Sequence, residues 1–439
     1  MPESSRASGA SPPPDLPRWS NPPMAARVRG LIMCDSQGEV QVVAPEVGLI
    51  EHGRLNQTLQ RQLRARMYDL EECTSAVPGD YRLPVVVDQC LIQKSELALA
   101  GAIPGEYFRI RGEALAQQSF ETRIFPFTAP VQLDQPSGSR DADRIRIDAA
   151  VSRFTERRIQ QRLDQTLHIP PLPEAARRII ALQATDDYDL KDLVAIIETD
   201  PSIAARIMGW ANSAFYHVNP PANSIDDAVM RVLGFDTVLS MALGMSLGAS
   251  LRLPESHVNG LPSYWLDAVY TAATMEALAR QVPAGQRPER GLCYLAGLLA
   301  NFGTLVLGHV FPPQYREICL LQEVNRHLPH LHADTHILGV GREVLASALL
   351  EQWELPEPIC DAIRFQHAAD YRGANATYVN LLRVARQALG NQGITDLPPA
   401  GLLPAVEDAR LGISEVQLDS VVTLIRDSRD QLDGLAAAM

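Results

Sequence analysis

The sequence lacks the signatures of several large protein classes. Its six cysteines (34, 73, 90, 293, 319 and 360) stand singly, without a CxxC pair. This spacing argues against a disulfide scaffold or a zinc ribbon and favours a reducing cytoplasm. There is no P-loop GxxxxGK[ST] and no dinucleotide-binding GxGxxG motif. No run reaches the ~18 uninterrupted apolar residues that a bilayer span needs, so we expect no membrane insertion.

Basic residues are also scarce relative to acidic ones. The chain has 39 Lys and Arg against 52 Asp and Glu, a net charge of -13 and a pI near 5.3. Because phosphate binding depends on Lys/Arg clusters, this balance argues against a protein that binds nucleic acid through its overall charge. The balance does not exclude a local basic patch. At 439 residues and 46% hydrophobic, the chain is long enough for two or three cores.

Shifts in composition and periodicity divide the chain into five segments. The pattern predicts a Pro- and Ser-rich disordered tail at 1–23, an α/β module at 24–125, a linker at 126–141, an all-helical domain at 142–390 with its core at 160–370, and a C-terminal helical extension packed on that domain at 391–439. The predicted fold class is therefore multidomain α+β, with a small sheet module before a larger helical domain.

Local signals place several helix ends in the second half. Asp200 followed by Pro201 is typical of an N-cap with proline at the first helical position. Ser224 with Asp227 three residues later resembles a capping box, and Gly234 is expected to close that helical run.

The helical part resembles the HDOD family, an all-helical regulatory relative of the HD-domain phosphohydrolases. The resemblance covers about residues 160 to 390 and rests on "IIETDPSIAARIMGWANSAFY", "AGLLANFGTLVL" and "LLEQWELPEPICDAI". Its signature positions, to which we assign structural roles, are Asp200, Pro201, Asn212, Ser213, Gly234, Gly297, Gly303, Trp353 and Pro356.

The metal-ligand positions implied by this resemblance carry the wrong residues. Catalytic HD proteins have adjacent His and Asp where this chain has Ala300 and Asn301, and the first histidine position falls near Asp267. A further histidine position reads Arg342, and the last aspartate position reads Arg386. A guanidinium that stays protonated cannot be a ligand, so we expect no catalysis, no cofactor and no metal.

Two interpretations of this former metal pocket stay open. Either Asp267 is an internal counter-ion for the arginines, which we favour because buried charges need partners, or the pocket binds a small anionic ligand such as a phosphate-bearing nucleotide. The four histidines in "NRHLPHLHADTH", at 327, 330, 332 and 336, suggest zinc, but no Cys or well-spaced set of acids completes the shell. The Pro and Asp of this segment predict a solvated loop. For His367 we expect a core or capping role.

The first module resembles the YbaK and prolyl-tRNA-editing type of aminoacyl-tRNA deacylase. The resemblance covers roughly residues 24 to 115 and rests on "VRGLIMCDSQGEVQVVAP" and "DYRLPVVVDQCLIQKSELALAGAIPGEYFRIRG". That family uses a lysine on the first of these strands, where this chain has Arg29. Residues 24 to 125 contain 11 Lys or Arg and 13 Asp or Glu, so we expect neither tRNA binding nor deacylation.

These observations favour a non-catalytic, cytoplasmic bacterial signalling scaffold. The HDOD resemblance implies action through protein–protein contacts, with signalling proteins that the sequence does not identify. The alternatives are a metal-dependent HD-type phosphohydrolase, a nucleotide-binding sensor, and a trans-editing deacylase acting through the first module.

Overall fold

The computed structural model describes most of the chain in two compact units. The described ranges are 16–66, 83–100, 106–116, 121–131, 139–161, 172–183, 189–213, 215–216, 218–251, 257–258, 261–368, 371–395 and 411–437. The first unit comprises Met1–Leu133, Val258–Gly260 and Glu317–Leu328, and the second comprises Asp134–His257, Leu261–Arg316 and Pro329–Met439. Residues 1–15 of the disordered tail predicted at 1–23 lie outside the described residues. Its remainder is bonded to the first unit, since Arg109 N donates to Pro17 O at 2.8 Å and Trp19 N donates to Tyr107 O at 2.9 Å, which corrects the prediction for residues 16–23.

The described residues of the first unit form mainly short strands and short helices. Its strands are β1 Arg27–Asp35, β2 Gly38–Pro45, β3 Gly48–Ile50, β4 Arg64–Ala65, β5 Val85–Asp88, β6 Leu97–Ala100, β7 Tyr107–Ile110, β8 Thr122–Phe125 and β9 Thr128–Pro130, and its helices are α1 His52–Leu59, α2 Gln89–Ile92 and α3 Gly112–Leu115. The main sheet has the order β7-β6-β1-β2-β5-β8, with β4 also on β1 and with β3 and β9 paired separately. The sheet is mixed, since β1–β2 and β6–β7 are antiparallel while β1–β6, β2–β5 and β5–β8 are parallel.

The segment "SQGE" forms the turn between the antiparallel strands β1 and β2. Gly38 has a φ of 122°, which only glycine adopts easily, so the tight turn lies where the sequence allows it. The stretch "LNQTLQRQLRA" has the polar and apolar spacing of one helix, but only its first part is helical. Gln60 adopts the left-handed conformation after α1, and the following Arg64–Ala65 pairs with β1 as a strand.

The first part of the predicted linker belongs to the first unit, which corrects its boundary. Phe127 is fully buried, and Thr128–Pro130 pairs with β3. The buried carboxylate of Asp88 accepts hydrogen bonds from Phe127 N, Thr128 N and Thr128 Oγ1 at 2.8, 2.8 and 3.0 Å. These bonds hold a segment that composition alone marks as loose.

A stretch from the predicted helical domain is also part of the first unit. Val324 lies in the same apolar cluster as Met33, Val42 and Ile50. Asn325 accepts a hydrogen bond from Ile50 N and donates one to Ile50 O, both at 2.9 Å. Residues 317–328 therefore complete the core of the first unit, which corrects the continuous helical domain predicted over 142–390.

The second unit is helical. Its helices are α4 Arg140–Gln161, α5 Glu174–Gln183, α6 Leu190–Glu198, α7 Pro201–Ala211, α8 Ile225–Asp227 with a π-helical continuation Ala228–Leu233, α9 Phe235–Ser250, α10 Tyr264–Gln281, α11 Arg290–Leu298, α12 Phe302–Val310, α13 Pro312–Val324, α14 His330–Leu338, α15 Arg342–Gln352, α16 Glu357–Arg364, α17 Ala376–Gly390, α18 Glu415–Asp427 and α19 Arg429–Ala437. Only the first part of α13, residues 312–316, belongs to this unit. The helix α10 packs against α11 and α17, and α9 packs against α11.

The predicted helix starts agree with the structure. Asp200 accepts bonds from Ser202 N and Ile203 N, with Pro201 at the first helical position. Ser224 accepts a bond from Asp227 N, and Gly234 has a φ of 85° before α9 begins. The small sheet module followed by a larger helical domain confirms the predicted fold class.

One stretch among the described residues is long and apolar enough to cross a membrane. This stretch, Arg290–Val310, covers α11 and α12, and 83% of its most apolar window is buried inside the protein. Such burial is typical of core helices.

Candidate functional site

The turn between α11 and α12 carries Ala300 and Asn301 into the interior of the helical unit. The two glycines that flank this turn lie against neighbouring backbone. A Cβ on Gly297 would lie 2.5 Å from Ala272 Cα of α10, and one on Gly303 would lie 2.4 Å from Arg342 O of α15. Only glycine permits both approaches, so these signature positions set the distance of the turn from its neighbours.

Asp267 of α10 is the centre of a buried polar network. Thr271 Oγ1 donates to Asp267 Oδ1 at 3.1 Å, and Asn301 Nδ2 donates to Asp267 Oδ2 at 3.1 Å. Arg386 Nη1 of α17 lies 3.5 Å from the same Oδ2, and both side chains of this ion pair are 2% exposed. The carboxylate is thus shared between a hydroxyl, an amide and a guanidinium.

The network continues from Asn301 to Arg342, but Arg342 has a different counter-ion. Thr304 Oγ1 donates to Asn301 Oδ1 at 2.7 Å and accepts from Arg342 Nη1 at 3.1 Å. Arg342 Nε and Nη2 donate to the two carboxylate oxygens of Asp334, at 2.6 and 2.8 Å. Burial opposes the charge of Arg342, but Asp334 outweighs it and raises the pKa of the guanidinium.

This arrangement separates the two arginines that the sequence placed in one pocket. Arg386 pairs with Asp267, whereas Arg342 forms a bidentate pair with Asp334, whose role the sequence did not indicate. Ala300 is buried, and its carbonyl accepts a bond from Gln366 Nε2 at 3.0 Å.

The donors at this position do not fit a hydrolytic metal. Asp267 is the one carboxylate among the five predicted pocket residues, and a buried guanidinium already lies beside it. A catalytic metal site needs several donors and one open position. Here Asn301 and Thr304 are hydrogen-bonded to each other and to neighbouring side chains. The arrangement binds α10, α12, α15 and α17 together.

The remaining signature residues have local structural contacts. Asn212 accepts a bond from Ala222 N at 2.7 Å and donates to Ala222 O at 2.9 Å, which closes the loop after α7. Trp353 packs on Phe302 with ring centroids 6.0 Å apart, and Pro356 directly precedes α16. Ser213 is buried in the turn that follows α7.

A second buried polar group was not recognised in the sequence. Glu276 of α10 is fully buried and accepts hydrogen bonds from Tyr216 OH at 2.5 Å, Arg280 Nη2 at 2.7 Å and Arg290 Nη2. Trp210 Nε1 donates to Tyr216 OH at 2.9 Å. The aromatic residue that ends "NSAFY" was the available signal, because a buried tyrosine hydroxyl needs a partner.

The pattern GxSxG occurs at Gly244–Gly248 but lies in the middle of α9. Ser246 is buried and donates to Ala242 O at 2.7 Å, one helical turn earlier. A nucleophilic serine of this motif requires a sharp strand-to-helix turn that exposes its hydroxyl. The hydroxyl of Ser246 is therefore not placed to act as a nucleophile.

The histidine-rich segment is a helix rather than the expected solvated loop. His330 and His332 are buried in α14, which begins at His330. The acidic partner comes from the next helix, since Glu343 Oε1 lies within hydrogen-bonding distance of His330 Nε2 and of His367 Nε2. His367 thus contacts Glu343 from its place after the end of α16.

In the first unit, Arg29 is engaged within the same unit. Its guanidinium contacts His327 Nδ1 and donates to Val324 O. The position that the deacylase resemblance assigns to a functional lysine is therefore held against residues 317–328.

Comparisons with known proteins agree with this architecture. The HDOD domain model matches residues 169–369. A protein from Marinobacter aquaeolei VT8, whose name assigns it to signal transduction, is 33% identical, with 97% of this chain and 96% of that chain covered and a TM-score of 0.83.

Two further similarities concern parts of the chain. An uncharacterised protein from Treponema pallidum (strain Nichols) is 29% identical over 209 residues, which are 48% of this chain and 39% of that relative. The chain thus spans well under half the length of that relative. A trans-editing enzyme for prolyl-tRNA synthetase is 16% identical over 24% of this chain and 73% of that chain, with a TM-score of 0.22.

Proposed function

Because this chain belongs to the HDOD family, an HD-related signalling family, we propose that it is a non-catalytic signalling scaffold. Its helical domain would act through contacts with partner proteins in the bacterial cytoplasm. The free thiols among the described cysteines are compatible with that compartment.

The observation that carries the proposal is the buried pair of Asp267 and Arg386. An open metal site for phosphate hydrolysis would need this volume for cations and a water nucleophile. A fixed guanidinium there repels a divalent cation, and Asn301 and Thr304 are engaged in the same network. The residues at the former metal site would thus stabilise the packing of the helices instead of binding a metal.

A trans-editing activity is less well supported. Arg29 is committed to contacts within its unit, and the module has a slight excess of acidic residues. A tRNA backbone would require a continuous basic surface.

The test is an assay of the full-length protein with cyclic and linear nucleotides in the presence of Mn²⁺ or Mg²⁺. We expect no turnover above that of a buffer control. Hydrolysis that disappears in Asp267→Asn would refute the non-catalytic role and restore the phosphohydrolase alternative. Cross-linking in the native cell should attach partner proteins mainly to the helical domain. Cross-links confined to the first unit would contradict the assignment of that role to the HDOD domain.

A further inference from the structure

Three potential metal ligands converge in the helical unit, and none of them belongs to the Asp267 network, although Glu343 directly follows Arg342. They are His330 at the start of α14, Glu343 in the first turn of α15, and His367 after α16. One ligand atom from each lies within 4.8 Å of the other two. The imidazole rings of His330 and His367 have centroids 5.2 Å apart and planes inclined by 76°. The Nε2 atoms of both rings contact the same carboxylate oxygen, Glu343 Oε1.

The site is buried and its carboxylate is only half satisfied. Glu343 is 3% exposed and His330 is 1% exposed. Glu343 Oε1 contacts both imidazoles, while Oε2 has no hydrogen-bond partner among the described residues. A buried carboxylate oxygen without a partner is costly, and a bound cation is one explanation for its retention.

A small pocket leads to this cluster. Glu343, His367 and Gly341 are among its lining residues. A Cβ on Gly341 would lie 2.9 Å from Glu343 Oε2 and 2.5 Å from Leu331 Cδ1. Glycine at this position therefore leaves room beside the unpartnered oxygen.

The positive charges of the pocket are locally offset. Arg364 and Arg146 also line it. Arg364 Nε donates to the buried carboxylate of Asp143 at 2.8 Å, and Arg146 Nη1 lies 3.9 Å from the same carboxylate. This anion reduces the repulsion that two guanidinium groups would exert on a cation.

We infer that His330, Glu343 and His367 bind one divalent transition-metal ion. Two imidazoles and one carboxylate are a donor set suited to Zn²⁺ or Fe²⁺, and a three-ligand protein site leaves one position for water or a small anion. That position faces the pocket. The ion would join α14, α15 and the end of α16, and the expectation of no metal would then hold only for the former hydrolytic site.

Metal binding by the full-length protein tests this inference. Protein stripped with a chelator and then titrated with Zn²⁺ alone should bind one equivalent with a rise in Tm. Co²⁺ in its place should give the ligand-field absorption of a low-coordinate nitrogen–oxygen site. Failure to bind either ion in the wild type would overturn the proposal.

Matched variants locate the ion. Glu343→Gln and His367→Gln should weaken Zn²⁺ binding by at least about 100-fold, beyond the loss caused by removing an outer-shell partner. The matched control His336→Gln, at an exposed position of the same helix, should keep one equivalent. If Glu343→Gln does not fold, His367→Gln decides the matter, because His367 lies nearer the surface with a side chain 10% exposed. Unchanged affinity in that variant, or loss of the ion in His336→Gln, would place the metal elsewhere and refute the site.

Discussion

Arg386 Nη1 lies 3.5 Å from Asp267 Oδ2, and this ion pair is almost completely withdrawn from solvent. The two residues belong to α17 and α10, which are neighbours in the core of the helical unit. A buried pair is not by itself strong evidence of stability, because both charges lose their hydration. Removing one partner is a different matter, since the other charge then stays buried without compensation.

Arg386→Ala should therefore destabilise the helical unit by about 3–5 kcal/mol. Chemical denaturation followed by circular dichroism measures the difference. Arg372→Ala, at an exposed position, is the matched control and should change the free energy of unfolding by less than ~0.5 kcal/mol. A fully stable Arg386→Ala protein would show that the pair makes no such contribution.

Nucleotides should not raise the Tm of the wild type, because the internal counter-ion already occupies the pocket. Differential scanning fluorimetry with cyclic and linear nucleotides measures this. A rise in Tm that Arg386→Lys abolishes would instead identify an anion sensor, since lysine keeps the charge and loses the planar fork. That outcome would support the small anionic ligand and count against the internal counter-ion.

Asn325→Ala should loosen the first unit, although residue 325 lies far along the chain. Its side chain makes two bonds to Ile50 and one to Leu321 O at 2.8 Å. Leaving these buried groups unsatisfied should cost about 2–4 kcal/mol. Hydrogen exchange of peptides that contain Ile50 should accelerate, while the exposed control Gln57→Ala should leave exchange unchanged. Equal protection in both variants would contradict the assignment of residues 317–328 to this unit.

The first unit should lose stability below about pH 6.5 through His52. Burial lowers the pKa of His52 from the model-peptide value of 6.5, and its Nε2 lies 2.7 Å from Leu63 O. A depressed pKa means that the unfolded chain binds the proton more readily. The contribution is therefore complete above pH 6.5 and is lost as the pH falls through the folded pKa. His52→Gln should flatten this slope in urea titrations across pH, and the exposed His257→Gln should not. An unchanged slope in His52→Gln would assign the acid sensitivity to another group.

Local sequence signals predicted the helix starts better than the side-chain partners. Asp200 and Ser224 act on backbone two or three residues away, so their capping roles follow from spacing alone. The partner of Arg342 is Asp334, across a turn that needs Gly339 in the left-handed conformation. Nothing in an apolar periodicity reports such a contact.

For the histidine-rich segment the sequence also failed to predict the side-chain partner, and here the error was to predict exposure where the structure has burial. Its polar residues suggested solvent, but His330 is buried because Glu343 supplies a partner thirteen residues later. The Asp267–Arg386 pairing was predictable only after a resemblance had aligned four distant positions. Residues 317–328 were assigned to the wrong unit, since an amphipathic helix has the same pattern whichever core its apolar face enters.

The split of the first unit along the sequence has a consequence during synthesis. When Leu133 leaves the ribosome, Val324 and Asn325 have not yet been made. The apolar cluster around Met33 and Ile50 then lacks the residues that cover one side of it. At ~5–20 residues per second, translation from 133 to 317 takes roughly ten to forty seconds. For that time the nascent sheet exposes apolar surface that the missing segment later covers.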